Sequence, residues 1–155
     1  MNKQVLTCNE NTELCKACGG KCCKTMGGHY SPDDFVDLSL SSLIYEIEKG
    51  YISIDWWVGD VMGDDRENTY YLRTRNLGAG VIDPSWGGVC CLLTENGCSL
   101  SWEERPYGCR ALVPLPNNEC RTDYTKEDSC KEWYPYQDTF KKLIRRIRES
   151  KGRYK

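Results

Sequence analysis

The chain has 155 residues, with 21 basic and 23 acidic side chains, one histidine and eleven cysteines. A chain of this length can bury a hydrophobic core without staples, so the thiols do not compensate for a chain too small to fold. No stretch approaches the ~20 apolar residues of a membrane span, which excludes a helical membrane class. The opening MNKQVLTCNENTEL also lacks the apolar core of a secretory signal. A soluble protein in a reducing cytoplasm is the expectation, and there clustered cysteines serve metal binding or redox chemistry more often than structural disulfides. The odd cysteine count agrees, because full intramolecular pairing would leave one thiol over. Charge is unevenly placed: residues 139–155 carry a net +7 and the rest of the chain −9. That asymmetry is the one compositional hint of an anionic partner.

In chain order, the first feature is CKACGGKCC at residues 15–23. A two-residue spacer lets Cys15 and Cys18 turn both sulfurs to one metal. Gly19 and Gly20 behind them permit the tight turn. Cys22 or Cys23 can supply a third ligand; adjacent residues rarely reach one small ion together, so the pair suggests either one ligand plus a bystander or ligands to two neighbouring centres, and Cys90-Cys91 is a second such pair. His29 follows in GGHYS; it could complete a Cys3His zinc site, but the preferred reading is a solvent-facing turn residue.

SPDDF places Ser31 as an N-cap and Pro32 at the first helical position, with two carboxylates in the first turn. Leu40, Leu43, Ile44 and Ile47 recur at helical spacing until Gly50, so a helix or broken helix pair is predicted over about residues 32–49. YISIDWWV alternates Ile52, Ile54 and Trp56 on one face, and TYYLRTR is β-branched and aromatic. These runs predict an antiparallel hairpin around GDVMGDDREN. Its Asp60, Asp64, Asp65 and Glu67 do not match a calcium-loop template, and a solvated loop is the reading. Residues 83–130 hold four prolines and six cysteines with no sustained period, which predicts irregular backbone. Phe140, Leu143, Ile144 and Ile147 then form the stripe of an amphipathic C-terminal helix, about residues 136–150.

The second cysteine group comprises Cys90, Cys91, Cys98, Cys109, Cys120 and Cys130. If it folds back onto the first, closure of the chain is metal-linked and binding free energy becomes folding free energy. Four-thiolate sites hold either zinc or iron–sulfur. The run-on spacing and near absence of histidine tip the choice slightly to iron–sulfur. Trp56, Trp57, Trp86, Trp102 and Trp133 are assigned to core packing and to shielding of the site from water.

The segments CKACGGKCC and CLLTENGCSLSWEERPYGCRAL, residues 91–112, together resemble the YkgJ-type cysteine-cluster family, a zinc- or iron-chelating domain. The matching positions are Cys15, Cys18, Cys22, Cys23, Cys91, Cys98, Arg105, Pro106, Cys109 and Arg110, and Cys130 corresponds to a late cysteine of many members. Cys8, Cys90 and Cys120 stand outside the pattern. The resemblance implies a metal-ligand set of Cys15, Cys18, Cys22, Cys23, Cys91, Cys98, Cys109 and Cys130. The family is also similar to bacterial flagellin lysine methylases, linked to iron–sulfur chemistry and S-adenosylmethionine. That similarity implies a protein-modifying enzyme as the alternative to a metal-binding module with a structural, electron-carrying or accessory role. Arg105 and Arg110 are expected near the thiolates, whose excess negative charge a guanidinium would stabilise; for Arg105, a surface pairing with Glu103 or Glu104 is an equal reading.

The expectation is therefore a small α+β domain over residues 1–155 with a helical segment, an antiparallel hairpin, a cysteine-rich irregular region and a C-terminal amphipathic helix. A protein or peptide is the expected kind of partner, rather than a membrane or a nucleic acid, with the basic helix face solvated.

Overall fold

The computed structural model describes residues 28–63, 67–84, 87–95, 97–114, 120–122 and 124–153. Cys8 and the whole CKACGGKCC segment lie outside the described residues, as do Asp64, Asp65 and Trp86.

The architecture is α+β. Ser31 caps a 3-10 turn at Pro32–Asp34: its hydroxyl accepts from the Asp33 N–H at 3.2 Å, and its own N–H donates to Asp34 Oδ2 at 2.8 Å. This is a reciprocal capping box. Phe35 is extended, so the predicted helix is broken, and Ser39 restarts it by capping helix α1, Leu40–Glu48. Gly50 ends it at φ +94°, a left-handed conformation that disfavours any side chain.

Strands β1, Ile52–Trp57, and β2, Thr69–Thr74, pair antiparallel with Ile54 opposite Leu72 and Asp55 opposite Tyr71. The predicted hairpin is present, but both its faces are covered. Ile54 and Leu72 are fully buried on one side. On the other, Asp55 and Arg73 are 2 % and 0 % exposed. Burying these charges is tolerable only because each is paired. Arg73 donates from Nε to Asp55 Oδ2 at 3.1 Å and from Nη2 to Asp83 Oδ2 at 2.9 Å, while the Tyr71 hydroxyl donates to Asp55 at 2.8 Å.

The stretch expected to be irregular contains short pieces of regular structure. Two small hairpins occur, β3 (Leu93–Thr94) with β4 (Gly97–Cys98), and β5 (Leu112–Pro114) with β6 (Cys120–Thr122). Between them lie a 3-10 turn at Trp102–Glu104 and a single-turn helix α2, Tyr107–Arg110. Helix α3, Lys126–Trp133, starts with a second capping box, Thr125 with Asp128. Pro135 sits in the 3-10 turn Tyr134–Tyr136 that joins it to α4, Gln137–Arg153. Phe140, Leu143 and Ile144 of α4 meet Leu43 and Ile47 of α1, Trp133 and the apolar hairpin face in one core. Each such side chain contributes roughly 1.5–3 kcal/mol by burial. Among the described residues no helix is long and apolar enough to cross a membrane.

Candidate metal centre

Residues 28–30 run along the free edge of β2: the Tyr30 N–H donates to Leu72 O at 2.8 Å and the Thr74 N–H to Gly28 O at 3.0 Å. His29 thus pairs with Arg73, and Gly28 lies opposite Thr74. Side chains alternate across a strand. Gly28 and Tyr30 therefore share a face with Leu72 and Thr74, and His29 shares the opposite face with Tyr71 and Arg73.

The first face meets Cys109. A Cβ on Gly28 would overlap the Cys109 sulfur and come within 2.9 Å of its backbone nitrogen. One residue earlier in α2, a Cβ on Gly108 would stand 2.7 Å from both N and O of His29. Two glycines facing each other let two backbones approach as side chains would not permit. A hydrogen bond from the Gly108 N–H to His29 O, 2.9 Å, closes the contact. Asp34 fixes α2 from the other end, accepting from the Tyr107 N–H at 2.9 Å and from Arg110 Nη2 at 2.8 Å.

Cys90 and Cys91 arrive beyond the end of β2. Cys90 opposes Asn76 and is 4 % exposed; the Cys91 N–H donates to Arg75 O at 2.8 Å. Burial, and then the neighbouring Cys90, push the Cys91 thiol up, while the Arg75 guanidinium and two N–H groups oppose the rise. Arg75 is itself anchored, with Nη2 donating to Ile52 O at 2.8 Å. Tyr30 links the pieces: after burial, its hydroxyl is pushed upward by Cys109, Asp34, Cys90 and Cys91 in that order. Three thiols and a carboxylate therefore all act electrostatically on one buried phenol. Cys98 lies on β4 opposite Leu93, three residues from Cys90, on a hairpin tied back by the Ser99 N–H to Leu92 O.

Several expectations change. Cys130 is in the hydrophobic core with no exposure, its sulfur 4.0 Å from Thr69 O, and burial raises its thiol to about 12. Thr69 and Asn76 are seven residues apart along extended chain, roughly 23 Å, so Cys130 is not gathered with Cys90, Cys91 and Cys109. His29 is neither in a turn nor facing solvent. Its ring lies edge-on to Tyr71 at 5.4 Å, and burial first, then Lys126 and Arg73, lower it to about 4. Arg110 is held by Asp34, and Arg105 Nε donates to Leu100 O at 3.3 Å. A cation that acts on the Cys91 thiol is Arg75, which sequence reading missed. Its only signal is its place at the end of the TYYLRTR strand. Sequence reading left the role of Cys90 open and gave Asp34 only a place in the first helical turn. Cys120 lies on β6.

Among the described residues no three histidine, cysteine, aspartate or glutamate side chains converge closely enough to hold an ion. The surroundings nevertheless fit a thiolate centre. The donors are soft sulfurs, suited to zinc or iron–sulfur. The Cys109 sulfur fills the space a Gly28 side chain would need, and the Thr74 hydroxyl, on the same face of the strands, is buried with no hydrogen-bond partner among the described residues. Two surface grooves elsewhere, of about 490 and 210 Å³, are lined by α4 with Tyr70 and by the hairpin loop with Tyr134.

A family model, CxxCxxCC, described as "Putative zinc- or iron-chelating domain", matches residues 14–131. No curated protein and no solved structure matches the chain.

Proposed function

Because the chain belongs to the zinc- or iron-chelating CxxCxxCC family, we propose that it is a metal-binding protein whose N-terminal cysteines and second cysteine group share one centre. Cys15, Cys18, Cys22 and Cys23 supply thiolates from one side. Cys91, Cys98 and Cys109 supply them from the other, with Cys90 beside Cys91. Cys130 is left to the core.

The observation that carries this reading is the contact of Gly28 with Cys109. Cys23 is five residues before Gly28, and five residues span at most about 17 Å. The chain leaving CKACGGKCC is thus delivered directly to a cysteine 81 positions after Gly28. The metal neutralises the clustered thiolates and so offsets the burial that pushes the Cys91 thiol up. The sulfur-rich donor set and the lack of a second histidine favour an iron–sulfur cluster over zinc, in a structural, electron-carrying or accessory role.

The test is anaerobic purification of wild type and Cys109→Ser, followed by analysis for iron, zinc and acid-labile sulfide and an absorption spectrum. Iron and sulfide in near-equal amounts with a broad visible band, lost in Cys109→Ser, is the expected result. Colourless protein with stoichiometric zinc would replace the cluster by a zinc site. Full metal content in Cys109→Ser would refute the shared centre.

A further inference from the structure

Thr74 is 1 % exposed, and its Oγ1 is buried without a hydrogen-bond partner among the described residues. Leaving a buried hydroxyl unsatisfied carries its full desolvation penalty, so the position calls for an explanation. A β-branched apolar residue such as valine would fill the same space in a strand without that cost.

The surroundings of the side chain supply one. Thr74 stands directly across from Gly28, since its N–H donates to Gly28 O at 3.0 Å. Opposed side chains on one face have Cβ atoms about 5 Å apart. The place where a Gly28 Cβ would stand is taken by the Cys109 sulfur. The Cys109 sulfur therefore lies against Gly28 on the face of the strands that Thr74 shares, with no hydrogen bond to Thr74 Oγ1 in the structure. A protonated thiol is a weak acceptor, whereas a thiolate or a metal-bound sulfur accepts hydrogen bonds well.

Resting on the metal-centre reading above, we infer that the Thr74 hydroxyl is an outer-sphere hydrogen-bond donor to the Cys109 sulfur when the centre is loaded. It withdraws charge from that sulfur and tightens the hold of the protein on its metal. Thr74 touches neither a substrate nor the metal; it is a positioning and tuning residue acting through Cys109.

Cobalt(II) serves as the probe, because thiolate-to-cobalt charge transfer gives an ultraviolet band whose energy reports on the sulfur lone pairs. Wild type, Thr74→Val and Thr74→Ser are titrated with cobalt in competition with a chelator. Loss of an outer-shell partner typically weakens metal binding roughly 10- to 100-fold. Thr74→Val should show that loss with the band moved to lower energy, while Thr74→Ser stays within about 3-fold of wild type. Without metal, Thr74→Val should melt no lower than wild type, because it removes an unsatisfied hydroxyl. An affinity and a band in Thr74→Val equal to those of wild type would overturn the inference while leaving the metal centre standing. Absence of a thiolate-to-cobalt band in wild type, with no iron, zinc or sulfide in the purified protein, would overturn both. Should Thr74→Val fail to fold, Thr74→Ala against Thr74→Ser makes the same comparison.

Discussion

Replacing Gly28 by alanine tests the joint between the two halves of the proposed centre. The added Cβ overlaps the Cys109 sulfur and stands 2.9 Å from the Cys109 backbone nitrogen and 3.3 Å from its Cβ. The backbone nitrogen is held by its hydrogen bond to Pro106 O at 2.9 Å. The sulfur is the atom freest to yield, and yielding takes it out of its place. Overpacking of this kind costs about 1–3 kcal/mol, which for a chain of this size lowers Tm by about 2–12 °C. The assay is a double-mutant cycle in thermal melting, with metal content measured on each variant. In a Cys109→Ala background the main overlap is gone, so Gly28→Ala should cost less than half of what it costs in wild type. Additive effects of the two substitutions would refute the contact, because residues that do not touch add within about 0.3–0.5 kcal/mol. Wild-type metal content in Gly28→Ala would refute its link to metal binding.

Cys130→Ala should leave metal content unchanged and destabilise the core by about 1 kcal/mol, since the sulfur is fully buried among apolar groups; loss of metal in this variant would return Cys130 to the ligand set. Arg73→Leu takes the shared guanidinium from the buried Asp55 and the partly buried Asp83 carboxylates, leaving Asp55 with Lys126 at 3.8 Å. Breaking a buried pair costs about 3–5 kcal/mol, so Tm should fall by about 6–20 °C; a drop under 2 °C would show that the network carries no stability. His29 has a folded-state value of about 4 against the ordinary 6.5, so the unfolded chain takes up its proton first as pH falls. The contribution of His29 is fully present above pH ~6.5 and is lost toward pH ~4, roughly 3 kcal/mol in all. Urea midpoints of wild type and His29→Gln at matched metal loading should therefore diverge between pH 7.5 and pH 5, with wild type losing more; parallel curves would sink this assignment.

The elements set by local chemistry were legible in the sequence. Ser31 and Pro32 announced a capped turn, Gly50 a stop, and Phe140, Leu143 and Ile144 a buried stripe, because each signal lies within a few residues of what it specifies. Helix α3 was legible too, from Thr125 and Asp128, and was passed over because proline and cysteine dominate that stretch. What could not be read was placement across the chain. Nothing near His29 tells that its carbonyl accepts from Gly108, and nothing near Asp34 tells that its carboxylate also caps α2. Cys130 shows the same limit: a cysteine in a cysteine-rich segment looks like a ligand, and its burial under β2, which allows the alternative role of a small apolar residue, is not written near it in the sequence.

The two faces of β2 connect these observations. Its even-numbered residues Leu72 and Thr74, continued by Asn76, line the side reached by Tyr30, Gly28, Cys109 and Cys90. Its odd-numbered residues Tyr71 and Arg73 close the Asp55 and Asp83 network on the other side. A slip of one residue would exchange the faces, putting the Arg73 guanidinium on the side Thr74 now shares with Gly28. The same slip would take Arg73 away from both Asp55 and Asp83. A hydrophobic hairpin face alone would tolerate some slippage; a buried arginine with two fixed partners does not, and specifying register is the best-attested use of such groups. The ion network therefore contributes to the thiol side without touching it, by fixing which residue of β2 stands opposite Gly28.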